Sequence, residues 1–286
     1  MSAPAIVPAE GRRHLGPAGY WTCLAGIVRR ELLRFVNQRE RFLSALVRPL
    51  IWLFIFAAGF RNVLGVSIIP PYQTYVLYEV YVTPGLAVMV QLFNGMQSSL
   101  SMVYDREVGS MRVLLTSPFP RWFLLFSKLT AGVVVSLLQA YAFLAIAYFW
   151  EVDIPLWGYV AALPAFILSG LMLGAIGLFL SSFVRQLENF ASVMNFVIFP
   201  MFFASSALYP LWRIREASEL LYIICLANPF THAIELVRFA LYLSFNPVSF
   251  AVVTGTLIVF FVASVLAYDP GRGIMARRGG PKGEQA

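Results

Sequence analysis

Gln91, Asn94, Gln97, Ser98 and Ser101 interrupt an otherwise apolar stretch, and positions 91, 94, 98 and 101 share one face of a helix. Amides and hydroxyls at that spacing form a polar stripe. Such a stripe can line a path for a solute or a seam with another chain, or it can bond a neighbouring helix at about 1 kcal/mol per contact in a bilayer. Acid–base and metal chemistry find far less. Glu79, Asp105, Glu151, Asp153, Glu188 and Asp269 all sit at or beyond the ends of apolar runs, so no deep carboxylate is available to bind a coupling proton or sodium ion. His14 and His232 fall on opposite sides of the expected topology, which excludes a His-based metal site or acid–base pair, and no catalytic residue is expected. A G-x-x-x-x-G-K-(S/T) phosphate loop does not occur, so this chain is expected to bind no cofactor and to hydrolyse no ATP by that chemistry. Cys23 and Cys225 also fall on opposite sides and are expected to form neither a disulfide nor a thiolate site.

The elements that position these residues follow from hydropathy. Of 286 residues, 59% are hydrophobic and 12% charged, with a mean hydropathy of +0.75, a composition unsuited to a soluble domain. Crossing a hydrocarbon core takes roughly 20 apolar residues in a helix. Six such runs occur, at 42–60, 80–103, 123–150, 156–184, 190–211 and 248–268. Their lengths favour helices, which satisfy their own backbone hydrogen bonds, over the shorter tilted strands of a barrel. The expected fold is an all-α polytopic membrane protein whose single transmembrane domain covers 20–268, between a disordered tail at 1–19 and a basic tail at 269–286. Residues 1–20 hold no apolar stretch of signal-peptide kind, so the first span is expected to direct insertion.

Lys and Arg fix the orientation. Alternate loops carry sixteen and four of them, with Arg48 inside the first span, which predicts that both termini are cytoplasmic. The net charge of +7 then reads as a topology signal and an attraction to anionic lipid; no nucleic-acid partner is expected. A seventh span at 220–245 is rejected because Asn228-Pro229 breaks it, because His232, Glu235 and Arg238 follow, and because it would carry the basic C-terminus outside. A re-entrant outer hairpin fits better, sheltered by protein or by a water-filled path. On it His232 and Glu235 are spaced to form a structural pair at i, i+3.

Three further features have readings of their own. Residues 21–36 set Trp21, Leu24, Val28, Leu32 and Phe35 on one helical face and Arg29, Arg30 and Arg34 on the other, as in a helix lying on the inner membrane surface against headgroups or a cytoplasmic partner. Gly170, Gly174 and Gly177 form a small-residue face suited to close helix packing. Arg48 is expected to snorkel to the inner interface, while belts and packing account for most of the aromatics.

The segment "YDREVGSMRVLLTSPFPRW" at 104–122 is cytoplasmic by the same charge count. Asp105 and Glu107 open an amphipathic turn, Val108, Met111 and Leu115 follow at helical spacing, and Ser117-Pro118 ends it. This makes a short surface helix, either a solvated linker or a docking knob.

Its pattern, an acidic E-x-G-(S/T), then an apolar pair and (T/S)-(S/N)-P, resembles the hallmark of the ABC-2 family of ATP-binding cassette transporter permeases. "YVTPGLAVM" at the second span and "NPFTHAIELVR" in the last outer loop extend the resemblance over nearly the whole chain. The resemblance implies a coupling helix over 105–117 that docks on an ATPase, with Asp105, Arg106, Glu107, Gly109, Met111, Arg112, Leu114, Leu115 and Pro118 at the contact. It also implies that the N-terminal amphipathic helix is an interface helix and that Asn228, Pro229, His232, Glu235 and Arg238 belong to a re-entrant hairpin. Two permease copies, as a homodimer in a bacterial plasma membrane, and two ATPase subunits carrying ATP and Mg would complete an exporter. An ion-coupled carrier and a membrane enzyme acting on lipids or glycans are the rival classes. The short outer segment leans toward a small or amphipathic cargo.

Overall fold

The computed structural model describes residues 16–37, 46–55, 70–72, 77–107, 119–150, 152–184 and 187–267, and among them every regular element is a helix. In chain order these are α1 (Pro17–Asn37), α2 (Leu46–Ile55), α3 (Tyr78–Glu107), α4 (Arg121–Phe149), α5 (Leu156–Ala161), α6 (Leu163–Phe183), α7 (Leu187–Phe203), α8 (Leu211–Ala217), α9 (Glu219–Ala227), α10 (Pro229–Leu241) and α11 (Pro247–Ala267). Proline sets several starts, because its fixed φ suits a first helical turn and its missing N–H costs nothing there. Pro17 opens α1, so residues 17–19 of the tail join that helix, and Pro229 and Pro247 open α10 and α11.

Among the described residues, three helices are long and apolar enough to cross a bilayer: Arg121–Phe149, Leu156–Phe183 taken through the α5–α6 junction, and Pro247–Ala267. The other three expected spans overlap α2, α3 and α7 in part, and none of these passes as a full crossing by length and apolarity. The first and last of these contribute shorter apolar helices, Leu46–Ile55 and Ser192–Phe203. Helix α3 has ample length at 30 residues, but the amides of its polar stripe lower its hydropathy. Helices α9 and α10 meet at 75° across Asn228, and at about 1.5 Å of rise per residue neither crosses a core about 30 Å thick alone.

Helix α3 is the axis of the bundle, touching α4, α6, α7 and α10. Every residue from Tyr78 to Leu92 is buried, with Tyr81, Leu86 and Leu92 fully so. Helix α11 is the opposite case. It leans on α6 and α10 through Ser249, Val253 and Ser264 and leaves Ile258, Val259 and Leu266 exposed, as suits a lipid-facing rim.

The small-residue face does what its spacing predicts. A Cβ built on Gly95 of α3 would lie 3.0 Å from the backbone nitrogen of Gly174 and 3.1 Å from its Cα, and one on Gly177 would lie 2.7 Å from Ser99 Oγ and 3.0 Å from Gly95 O. Backbone therefore meets backbone between α3 and α6. Gly85 makes a similar approach at the other end of α3, where its Cβ would come within 2.8 Å of Ala207 Cα.

The expected consequence is that Gly95→Val, which pushes against backbone that cannot step aside, costs about 1–3 kcal/mol through overpacking. Gly255→Val, whose added Cβ meets nothing within 4 Å, is the matched control and should be near neutral. Thermal unfolding of the two variants in detergent makes the comparison, and equal midpoints would remove the Gly95 contact from this account.

Candidate functional site

The polar stripe of α3 divides between two tasks. Gln91 is buried and fully engaged: its Nε2 donates to Phe166 O at 2.8 Å, and its Oε1 accepts from Ser169 Oγ at 2.7 Å, both on α6. Asn94 Nδ2 donates to Gln139 Oε1 on α4. These two side chains tie helices together, as amides in an apolar interior must find partners. The Ser101 side chain lies outside the described residues.

Gln97 and Ser98, together with one side of Asn94, face an open cleft of about 480 Å³. Its walls come from four helices: Glu31, Arg34 and Phe35 of α1; Asn94, Gln97, Ser98, Leu100 and Tyr104 of α3; Gly132 and Val135 of α4; and Met194 of α7. The spacing that groups Arg29, Arg30 and Arg34 on one basic face hides how differently they are used. Arg30 pairs with Glu31 at 3.2 Å, Arg29 is exposed, and of the three only Arg34 lines the cleft. The half-buried positions of α1, among them Tyr20, Leu24, Val28, Leu32 and Phe35, recur at helical spacing, and α1 packs along α4. Tyr20 meets Phe119 and Phe123 edge-on, with centroids 5.2 and 4.8 Å apart. Trp21, set on that apolar face by its spacing, is instead 72% exposed.

At its far end α3 joins the bent helix pair. Tyr78 and Tyr81 donate their hydroxyls to Leu208 O at 2.7 Å and Ser206 O at 3.0 Å, in the turn that follows α7. Arg238 of α10 enters the same place, where it ion-pairs with Glu235, donates to Ser206 O at 2.9 Å and stacks on the Tyr81 ring at 4.1 Å. This corrects two expectations. Arg238, counted with the outer-loop charges, has a side chain only 2% exposed, because an ion pair, carbonyls and an aromatic face replace its water. Glu235, expected to pair with His232, pairs with Arg238, while His232 Nε2 approaches Leu226 O at 2.9 Å.

Asn228 holds the bend. Its Oδ1 accepts from Phe230 N at 3.0 Å and so caps α10, and its Nδ2 donates to Met201 O and Ala204 O, both at 2.7 Å. Those carbonyls end α7 and would otherwise lack donors. Arg48 of α2 is exposed and stacks on Phe93 of α3 at 4.1 Å. Of the motif segment, Asp105, Arg106 and Glu107 continue the α3 backbone, but their side chains lie outside the described residues, as do Gly109, Met111, Arg112, Leu114, Leu115 and Pro118 entirely.

Removing one half of a buried ion pair leaves the other uncompensated and typically costs about 3–5 kcal/mol. Glu235→Ala should therefore destabilise the purified protein strongly, while Glu235→Gln, which keeps an acceptor for Arg238, should cost clearly less. Melting temperatures equal to that of the unaltered protein for both variants would mean that charge at this position does not matter.

Comparison with known proteins agrees with this architecture. The family described as ABC-2 type transporter matches residues 22–242. Relatives named as transport permease ycf38 are 27% identical over 220 residues in Cyanophora paradoxa, covering 74% of this chain and 72% of the relative, and 27% identical over 222 residues in Porphyra purpurea, covering 76% and 72%. A protein of Escherichia coli (strain K12) named as multidrug ABC transporter permease YbhR is 32% identical over 124 residues, covering 42% of this chain and 33% of the relative. The match runs from the basic helix that walls the cleft to the end of the bent pair that clasps α3, and the chain belongs to the ABC-2 type transporter family as a multi-pass membrane permease.

Proposed function

We propose that this chain is the permease subunit of an exporter, forming the translocation pathway while separate ATPase subunits, with their ATP and Mg, supply the energy. The observation that carries the reading is the continuity of α3. Its 30 residues make a rod of roughly 45 Å. Residues 94–104 of the rod wall the polar cleft, its C-terminal end leads into the motif segment, and its N-terminal end is bonded to the turn under α9 and α10. A push delivered at Glu107 therefore has one stiff element along which to reach both the cleft and the outer end.

In this mechanism the segment 105–117 is the coupling helix, resting on a pair of ATPases whose closure on ATP displaces it. The displacement rocks α3 and changes how the cleft opens, as helix bundles switch between discrete packings rather than deforming continuously. The bent pair α9–α10 is a re-entrant hairpin on the outer side, and α1 is the interface helix on the inner surface. Six spans make half of a channel, so a second copy completes it. Both termini lie in the cytoplasm, and the membrane is the plasma membrane of a bacterium, where the positive-inside bias operates. The E. coli relative is named as a multidrug permease, which supports an amphipathic cargo of modest size.

Isolation of the chain from its native membrane in mild detergent should bring an ATPase subunit with it. Glu107→Ala, Leu115→Ala and Gly109→Leu should each abolish ATP-driven transport and the stimulation of ATPase activity while leaving insertion and abundance unchanged. Undiminished transport in all three variants would falsify the coupling role of this segment.

A further inference from the structure

Helix α2 has two faces. Leu46, Pro49 and Leu53 are buried against the bundle, while Val47, Arg48, Ile51 and Ile55 are exposed. Among the described residues the Arg48 guanidinium lies over the Phe93 ring at 4.1 Å and beside no carboxylate. The depth of that contact follows from the helices around it. Phe93 is roughly 22 Å from Tyr78 and roughly 21 Å from Glu107 along α3. Its neighbour Asn94 donates to Gln139, which lies roughly 15 Å from Phe149 and roughly 27 Å from Arg121 along α4. Phe54, about 9 Å beyond Arg48 on α2, meets Trp150 at the end of α4 with centroids 4.6 Å apart. In the membrane placement proposed above, these distances set the guanidinium near the middle of the bilayer. That is out of reach of the inner interface to which its place in the sequence assigns it.

A charge at that depth is costly against hydrocarbon, so the exposed side of α2 requires a polar medium in spite of Val47, Ile51 and Ile55. A second copy cannot neutralise it. None of the six apolar runs contains Asp or Glu, and an identical subunit across a two-fold axis brings only another Arg48. The Phe93 ring covers one face of the guanidinium and leaves its N–H edge open, a geometry suited to two oxygens of a phosphate, sulfate or carboxylate. We propose that Arg48 is the charge-selecting residue of the translocation pathway, holding the anionic group of a passing cargo at mid-depth and repelling cations. This inference rests on the permease reading for its depth and deepens it by assigning the sign of the cargo's charge and the residue that reads it.

The test places the full chain in nanodiscs of phosphatidylcholine, a lipid without net charge, with no ATPase and no nucleotide. Ile51→Cys, one turn from Arg48, meets two water-soluble thiol reagents, the anionic sulfonatoethyl and the cationic trimethylammonioethyl methanethiosulfonate. Each rate is read by mass on the peptide carrying position 51 and divided by that reagent's rate with free cysteine. The anionic reagent should react about tenfold faster than the cationic one, the scale on which a charged cleft concentrates ions of opposite sign. Arg48→Gln should bring the two rates together, Arg48→Lys should keep the preference, and Arg213→Ala, at an exposed arginine on α8, should change nothing. Val259→Cys, exposed in the middle of α11, should react with neither reagent. Hexyl phosphate should slow the anionic reagent at Ile51→Cys more than chloride does at equal concentration. If Ile51→Cys is as inert as Val259→Cys, this face lies in lipid or in a sealed seam and the proposal is overturned. A preference that survives Arg48→Gln overturns it too, and equal slowing by chloride assigns Arg48 to an inorganic anion and removes its cargo role. Because the assay omits the ATPase, its failure leaves the coupling reading standing, and failure of ATPase co-isolation leaves the charge-selective path standing.

Discussion

Where Gly95 meets Gly174 and Gly177, α3 and α6 approach until there is no room for a side chain between them. That contact fixes the rotation of α3 about its own axis, and the rest of the site follows from the rotation. With Gly95 turned to α6, Gln91, one turn earlier, reaches Phe166 O and Ser169 Oγ on the same helix. Asn94 swings to Gln139 on α4, and Gln97 is left facing the cleft. A helix turns about 100° per residue, so a small change in that rotation would bury the donor meant for the cleft and expose the one meant for the interior.

The two ends of α3 are anchored by different physics. At its N-terminal end a buried guanidinium, two tyrosine hydroxyls and a capped bend hold the rod to the turn after α7. Such an arrangement is rigid because each group would be costly to strand without a partner. Along the cleft the contacts are sparser, and α1 contributes half-buried side chains with none fully buried. Motion concentrates where few contacts must be broken, so any movement of α1 against the bundle meets less resistance than movement at the N-terminal end of α3.

Much of this was legible in the residues. Hydropathy predicts an all-helical membrane protein, and Asn228-Pro229 predicts a break that appears as a 75° bend. The glycine spacing predicts close packing, and the motif segment predicts the family. The division of labour within the polar stripe was not legible. Gln91 and Asn94 lie on one face of the helix, yet Gln91 is enclosed against α6 while Asn94 ties to α4 at the edge of a cleft that Gln97 and Ser98 also line. Arg238 was legible as a charge and not as a buried one, because the carbonyl, carboxylate and ring that receive it come from Ser206, Glu235 and Tyr81, two of them distant in sequence.

The sequence by itself therefore determined the class of solvent, the helices and their breaks, and the family, because each of these rests on the chemistry of a residue or on spacing within one or two turns. Only the tertiary structure decided that Arg34 and Gln97 share a cleft, that Arg238 is enclosed, and that Glu235 turns to Arg238 and away from His232. Those outcomes depend on which helix faces meet and how closely they approach. Contacts such as Gly95 with Gly174 set that distance between residues far apart along the chain.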